Sequence, residues 1–288
     1  MIVTNGEPSI FTNYSNPLAL GATWDECLDY CYSMPACVAV YDENCQLFQI
    51  GQIQTATRNY DETFAFKIST TDTCPLDDSG IASGYTSTNT SYQNYSVSYS
   101  DPTWTFSTGN ALNCPTNFSL FVRAKGPWCM QVIQHTQCCN QTIAQIMCDT
   151  VYSNSILSGI ENQAEYDWIS ALAIPIYQFI AAYTVDTVKY TFTGIWLDGS
   201  KISTCINVTS TTCNSISAFD FSDPLLTIPP QGYTWLPGEP DGTLAPANLL
   251  VLRLNSETEY GIDDTPNSPL AGNNAGCWKG YVCGIRPS

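Results

Sequence analysis

Two carboxylates flank a single proline at Glu239-Pro240-Asp241. Side chains of this type suit a hard cation such as calcium, which gathers about six to eight oxygen ligands from carboxylates, amides and carbonyls. The plain alternative is a pair of solvated loop acids around a turn proline. Asp263-Asp264 is a second acidic pair in the same stretch, able to contribute to an ion site but expected as a solvated turn. Other chemistry is poorly provided for. The only histidine, His135, has no nucleophile motif near it, and Gly-x-Ser-x-Gly is absent. No phosphate loop or dinucleotide fingerprint occurs. Acids are plentiful enough for paired-carboxylate glycoside cleavage, but that chemistry depends on a spacing in three dimensions. The expectation is a binding protein and not an enzyme.

Cysteines set the compartment. There are 14 in 288 residues, against one histidine, which argues against zinc and for disulfides made in an oxidising lumen. Asn-x-Ser/Thr sequons begin at Asn13, Asn89, Asn94, Asn117, Asn140 and Asn207, in keeping with an extracellular, secreted glycoprotein. The residues after Met1, Ile-Val-Thr-Asn-Gly-Glu-Pro-Ser, lack the basic start and apolar stretch of a signal peptide. The net charge of −17, from 26 acids and 9 bases, disfavours nucleic acid and anionic membrane surfaces and favours cations. No run reaches the ~18 apolar residues of a membrane span. Trp168–Tyr183 is apolar, but it is short and interrupted by Pro175.

The elements that must position these groups fall into three regions. Up to about Thr73, Thr23 can cap a helix that begins at Trp24, with Asp25 and Glu26 in the first turn. Cys27 and Cys31 share one face of it. Nesting suggests Cys31–Cys37 inside Cys27–Cys45, stapling the helix to strands at Cys37–Tyr41 and Cys45–Ile50. Phe64–Ile68 alternates as a closing strand. Residues 74–112 read as a linker, because 14 of the 22 residues of Ser79–Ser100 are Ser, Thr or Tyr. In the remainder, 113–288, two short strands meet at Lys125-Gly126-Pro127, and Cys114–Cys129 could staple them. Asn140 caps a helix over Gln141–Ser153 that carries Ile143, Met147, Cys148 and Val151 on one face. A second helix starts near Glu161-Asn162 and fades before Pro175. Strands are expected at Tyr190–Asp198, Val251–Leu254 and Gly280–Cys283. A long loop region lies between Asp198 and Asn248, and loops of that length inside a domain are usually functional. Cys205–Cys213 can close a hairpin there.

Trp24-x-x-Cys27-x-x-x-Cys31, Cys37-Val38-Ala39-Val40-Tyr41, Cys45-x-x-Phe48-x-Ile50-Gly51 and Ala65-Phe66-Lys67-Ile68 resemble the CW domain, a PAN/apple-type module that in roundworms often precedes a C-type lectin-like domain. The resemblance covers about Asn16–Ser69, within an expected domain of 16–73. Over nearly all of Cys114–Ile285 the chain resembles such a lectin-like domain. The matching residues are Trp128-Cys129, Cys148, Leu157-Ser158-Gly159-Ile160-x-x-x-x-Glu165, Gly194-Ile195-Trp196-Leu197-Asp198-Gly199, Trp235-x-x-Gly238-Glu239-Pro240-Asp241, Cys277 and Tyr281-Val282-Cys283. The fold class expected is α+β and disulfide-rich: the small module, then a lectin-like fold of two helices, antiparallel sheets and a long loop region.

The resemblance implies a Cys148–Cys283 bridge. It also implies calcium held by a Glu-Pro tripeptide with a cis proline, a later Trp-Asn-Asp and an acid between them, with two sugar hydroxyls completing the shell. Counted back from Cys277, the Trp-Asn-Asp position reads Gly272-Asn273-Asn274. The calcium ligands that the resemblance implies are therefore Glu239, Asp241 and Asn273. Asn274 adjoins them, and Tyr233 is the candidate to stack on a sugar ring. The intervening acid is missing near Ala247 and Asn248. Leu249 stands where a second long bridge to Cys277 would begin, so Cys138 and Cys139 are expected to pair with Cys74 and Cys277, one each. The implied function is carbohydrate recognition outside the cell, in innate defence, with glycans or glycoproteins as partners. The alternative is a calcium-independent lectin-like scaffold for a protein or another non-sugar ligand.

Overall fold

The computed structural model describes residues 1–18, 21–69, 81–182, 190–206, 208, 210–241, 248–272 and 275–288. It divides into two compact units, Met1–Cys114 with Ser288, and Pro115–Pro287.

The first unit contains β1 (Ile2–Asn5), β2 (Glu7–Phe11), α1 (Trp24–Ser33), β3 (Cys37–Tyr41), β4 (Gln46–Gln49), β5 (Ile53–Thr57), β6 (Thr63–Phe66), β7 (Ile81–Ser87), β8 (Ser91–Ser100), β9 (Thr103–Thr108) and β10 (Leu112–Asn113). A capping box starts α1: Thr23 Oγ1 accepts from the Glu26 amide, and Glu26 Oε2 accepts from the Thr23 amide. Its buried face carries Cys27 and Cys31, bonded to Cys45 and Cys37 as the nesting suggests. At its other end Lys67 Nζ donates to the carbonyls of Cys31, Tyr32 and Met34, at 2.9–3.1 Å, where a cation suits the helix dipole. Two sheets result, ordered β1-β6-β3-β4 and β10-β8-β9-β5-β2, with β7 on the open side of β8.

The expected boundaries are wrong at both ends of this unit. Strands β1 and β2 precede residue 16 and join the two sheets, and the stretch read as a linker is sheet from Ile81 to Asn113. Residues 74–80 of that linker lie outside the described residues. The misreading has a physical cause. Tyr95, Val97, Trp104 and Phe106 alternate into a core shared with Phe64 and Phe66, while Ser and Thr occupy the opposite face. Half-buried antiparallel strands with hydroxyls outside have the composition of a linker but the period of a sheet.

The second unit contains β11 (Ser119–Arg123), β12 (Gly126–Gln134), α2 (Gln141–Val151), β13 (Ile156–Leu157), α3 (Gln163–Ala182), β14 (Phe192–Lys201), β15 (Phe219–Asp220), β16 (Leu249–Leu254), β17 (Tyr260–Thr265), β18 (Leu270–Ala271) and β19 (Gly276–Ile285). The main sheet runs β11-β12-β19-β14-β16-β17, and only β14 and β19 pair in parallel. Asn140 Oδ1 caps α2 at the Ile143 amide. The buried face of α2 is Gln141, Ala144 and Cys148, whereas Ile143 and Val151 are exposed, contrary to the expected face. Helix α3 does not stop before Pro175 but runs through it. Tyr166, Ile169, Ala173 and Ile176 bury one stripe in the core against the sheet, which outweighs the one backbone bond that a proline removes.

Cys148–Cys283 ties α2 to β19, and Cys205–Cys213 closes its short loop. Cys114 and Cys129 are both disulfide-bonded. Cys277 pairs with Cys138. Cys139, also expected in a bridge, is a buried free thiol, and Cys74 lies outside the described residues. The Cys139 amide donates to the Trp278 carbonyl and its own carbonyl accepts from Trp196 Nε1, which holds the residue under the sheet. Burial pushes this thiol up to about 11, so it is an inert packing residue. No helix among the described residues is long and apolar enough to cross a membrane.

Candidate functional site: a carboxylate cluster beside strand β17

Strand β17 pairs antiparallel with β16, with Val251 opposite Asp263 and Leu250 opposite Asp264. Its other side takes up the chain that leads to the proline motif. The Ile262 amide donates to the Thr234 carbonyl at 2.8 Å, and the Leu236 amide donates to the Ile262 carbonyl at 2.9 Å. Gly261 permits this approach, because a Cβ there would sit 2.5 Å from the Leu236 nitrogen. The next residues turn back, with Gly238 at φ +97° and the Glu239 amide donating to the Leu236 carbonyl. The Glu239–Pro240 bond is cis.

Carboxylate oxygens of Glu239, Asp241 and Asp264 consequently lie within 4.8 Å of one another. The Asp241 amide donates to Glu239 Oε2 at 3.0 Å, which fixes the two acids of the motif relative to each other. Glu239 and Asp241 are half-buried and open to solvent on one side, while Asp263 and Asp264 are 6% and 2% exposed. The acidic pair expected as a solvated turn is therefore the buried floor of the site.

Burial, and then the neighbouring Asp263, raise Glu239 to about 7. Burial likewise raises Asp263 to about 6, against the pull of Arg253, whose Nη1 donates to Asp263 Oδ2 at 3.0 Å. Lys201, at the end of β14, donates from Nζ to Asp264 Oδ2 at 2.7 Å. Asp264 Oδ1 is buried and has no hydrogen-bond partner among the described residues. Four carboxylates thus face two cationic side chains, and one buried oxygen is unsatisfied. Like charges so close resist joint ionisation, and a buried acceptor without a donor is costly. A divalent cation relieves both conditions. The donor set fits calcium, being all carboxylate oxygens with excess negative charge and an open side. Glu239, Asp241 and Asp264 would hold the ion.

Of the residues expected at the site, Glu239 and Asp241 are brought together, whereas Asn273 and Asn274 lie outside the described residues. Tyr233 is not a stacking surface. It is buried, and its hydroxyl donates to the Asp198 carbonyl and accepts from the Ile160 amide. A tyrosine whose polar tip finds partners inside is stable as a core residue. Trp196 is wholly buried and Trp235 packs against the core. The sequence offers Asp263 and Asp264 as able to contribute to an ion site but favours a solvated turn, and the structure places Asp264 in the cluster. Counting back from Cys277 passes over them because β18 and its flanking turns intervene. The useful signal was their place on a strand that begins at Tyr260-Gly261, next to the strand over Val251–Leu254.

Residues 1–68 match the family model of a PAN-like domain, and residues 115–245 match that of the C-type lectin domain-containing protein 141/158. The second match includes Glu239-Pro240-Asp241 and ends before Asp263. No curated protein matches the chain. The chain thus carries a PAN-like domain over residues 1–68 and, over residues 115–245, a region that matches the C-type lectin domain of the 141/158 family.

Proposed function

We propose that the protein is a secreted, non-catalytic recognition molecule that binds carbohydrate through a calcium ion held by Glu239, Asp241 and Asp264. The observation that carries this reading is the meeting of three carboxylates at a half-open site whose buried Asp264 Oδ1 has no hydrogen-bond partner among the described residues. A hard cation there keeps positions open on the solvent side. Vicinal hydroxyls of a sugar can take those positions and also hydrogen-bond the same carboxylates, which are acceptors when ionised. Disulfides in both domains accord with an extracellular setting, where calcium is abundant. The PAN-like domain serves as a further interaction module.

The test is a glycan array probed with the full chain in calcium and in chelator, beside calorimetry of calcium binding. The reading expects a chelator-sensitive glycan signal that Glu239→Gln with Asp241→Asn abolishes. Glycan binding that ignores both chelator and variant would refute it.

The Lys201–Asp264 and Arg253–Asp263 ion pairs favour a second reading, in which the protein's own cations satisfy the cluster and the domain binds a non-sugar ligand without calcium. That reading expects no calcium heat and no melting shift on adding calcium.

A further inference from the structure

The first unit carries a groove of about 440 Å³ across β7, β8 and β9, within the size range of small-ligand sites. Ser83, Tyr85, Tyr92, Asn94, Ser96 and Ser107 line it, and no described lining residue is charged. Cross-strand register brings the key groups together, with Tyr85 directly opposite Asn94 and Ser83 opposite Ser96. Neighbours paired in this way stand on one face of the sheet. The Tyr85 and Tyr92 rings stack with centroids 5.4 Å apart and planes at 26°, forming a flat shelf beside Asn94. Asn94 is exposed, and its Oδ1 lies over Gly109, where a Cβ would approach to 1.9 Å.

Asn94-Tyr95-Ser96 is itself an N-glycosylation sequon. Other described sequons differ in setting: Asn140 Oδ1 is engaged as the cap of α2, and Asn89 is in the turn between β7 and β8. Only Asn94 among the described sequon residues lies inside this groove.

We propose that Asn94 carries an N-linked glycan and that the groove is the seat of its first sugar. The chemistry of the lining matches that occupant. A neutral sugar offers one C–H face to an aromatic ring and hydroxyls to its rim, and the groove supplies a tyrosine shelf edged by serine hydroxyls without charge. The hydroxyls of Tyr85, Tyr92, Ser96 and Ser107 make no side-chain hydrogen bond among the described residues, so they can pair with the sugar. A sugar tethered at Asn94 reaches the shelf without the entropy loss of a free ligand. It would also cover the tyrosines on a sheet face that is otherwise open.

This inference rests on the extracellular part of the proposed function, since the glycan is attached only in the secretory pathway. The test begins with the full chain secreted from a eukaryotic host and mapped by glycopeptide mass spectrometry. Asn94 is expected to be occupied. The glycans are then trimmed to a single N-acetylglucosamine, and melting of the first unit is compared with that of the Asn94→Gln chain. The trimmed sugar is expected to raise the melting point by about 3 °C, in line with one aromatic contact, and by less than about 1 °C in a Tyr85→Ala background. An empty Asn94 in a chain glycosylated at Asn89 or Asn117 overturns the inference and leaves the extracellular reading intact. Equal melting shifts with and without Tyr85 also overturn it. A chain that bears no glycan at any sequon undoes both.

Discussion

Two of the places where the C-terminal domain buries charge treat it in opposite ways. Around Arg123 the side chains are fully matched. Its Nε and Nη2 hold both oxygens of Glu165 at 2.7 and 2.8 Å, Nη1 holds Asp223 at 2.8 Å, and Nη2 also reaches the Gly159 carbonyl. Asp223 further accepts from the Gly159 amide, and Glu165 from the Glu161 amide. No atom of this knot is among the buried polar groups without a partner. Beside β17 the pairing is incomplete: the acids again outnumber the bases two to one, but here Asp264 keeps one buried oxygen without a hydrogen-bond partner among the described residues, and Glu239 is raised by burial and then by Asp263. A satisfied buried network serves the fold, whereas an unsatisfied one that reaches solvent has affinity left for a ligand.

The largest effect should follow from breaking the matched region. Arg123→Met leaves Glu165 and Asp223 buried without their counter-ion, a loss of about 3–5 kcal/mol for a buried pair. Chemical denaturation should show that loss or outright misfolding, and added calcium should not restore it. A nearly neutral result would mean that the knot contributes little to the fold. The unmatched region should behave in reverse. Glu239→Gln with Asp241→Asn should leave the cation-free protein as stable or slightly more so, since like charges are removed. Its calcium affinity by calorimetry should fall about 100-fold, because affinity follows ligand charge. Strong destabilisation without loss of affinity would place these acids with the structural knot instead.

Lys201 sharpens the comparison. Its ammonium on Asp264 is a cation that an arriving ion must compete with electrostatically. Lys201→Met should tighten calcium binding about tenfold while lowering cation-free stability, because Asp264 then has no counter-charge. The two changes have one origin, so calcium should raise the melting point of the variant more than that of the parent.

The same contrast explains what could be read from the sequence. Features set by near neighbours were legible: the caps at Thr23 and Asn140, the bridges Cys27–Cys45, Cys31–Cys37 and Cys205–Cys213, and the carboxylates of the proline motif. Cys148–Cys283 followed from the family resemblance alone. What failed depends on partners distant in sequence. The hydroxyl-rich strands β7 to β9 are sheet because Trp104 and Phe106 meet Phe64 and Phe66, some forty residues away in the chain. Asp263 and Asp264 look like turn residues until β16, Lys201 and Arg253 surround them. Pro175 ends a helix by local rules, and the buried stripe of α3 overrides them.

The smallest effect is on pH dependence, and its sign follows from the raised acids beside β17. In the folded protein Glu239 titrates at about 7 and Asp263 at about 6, above the ordinary 4.5 and 3.8 of their side chains. Between those limits the folded state binds more protons than the unfolded state, so cation-free stability rises as pH falls from about 7 towards 5. Calcium needs the ionised forms, so the stabilisation that it adds should shrink over the same interval. Melting curves at pH 7.5, 6 and 5, with and without calcium, should therefore converge on acidification. Because protonation elsewhere in so acidic a chain also affects melting, the informative quantity is the difference between the parent and Glu239→Gln. The variant lacks the Glu239 titration, so its cation-free melting point should rise less on acidification. Parallel curves for the two proteins would show that Glu239 ionises in the folded state as freely as in the unfolded chain, and the crowding of carboxylates beside β17 would then carry no electrostatic cost.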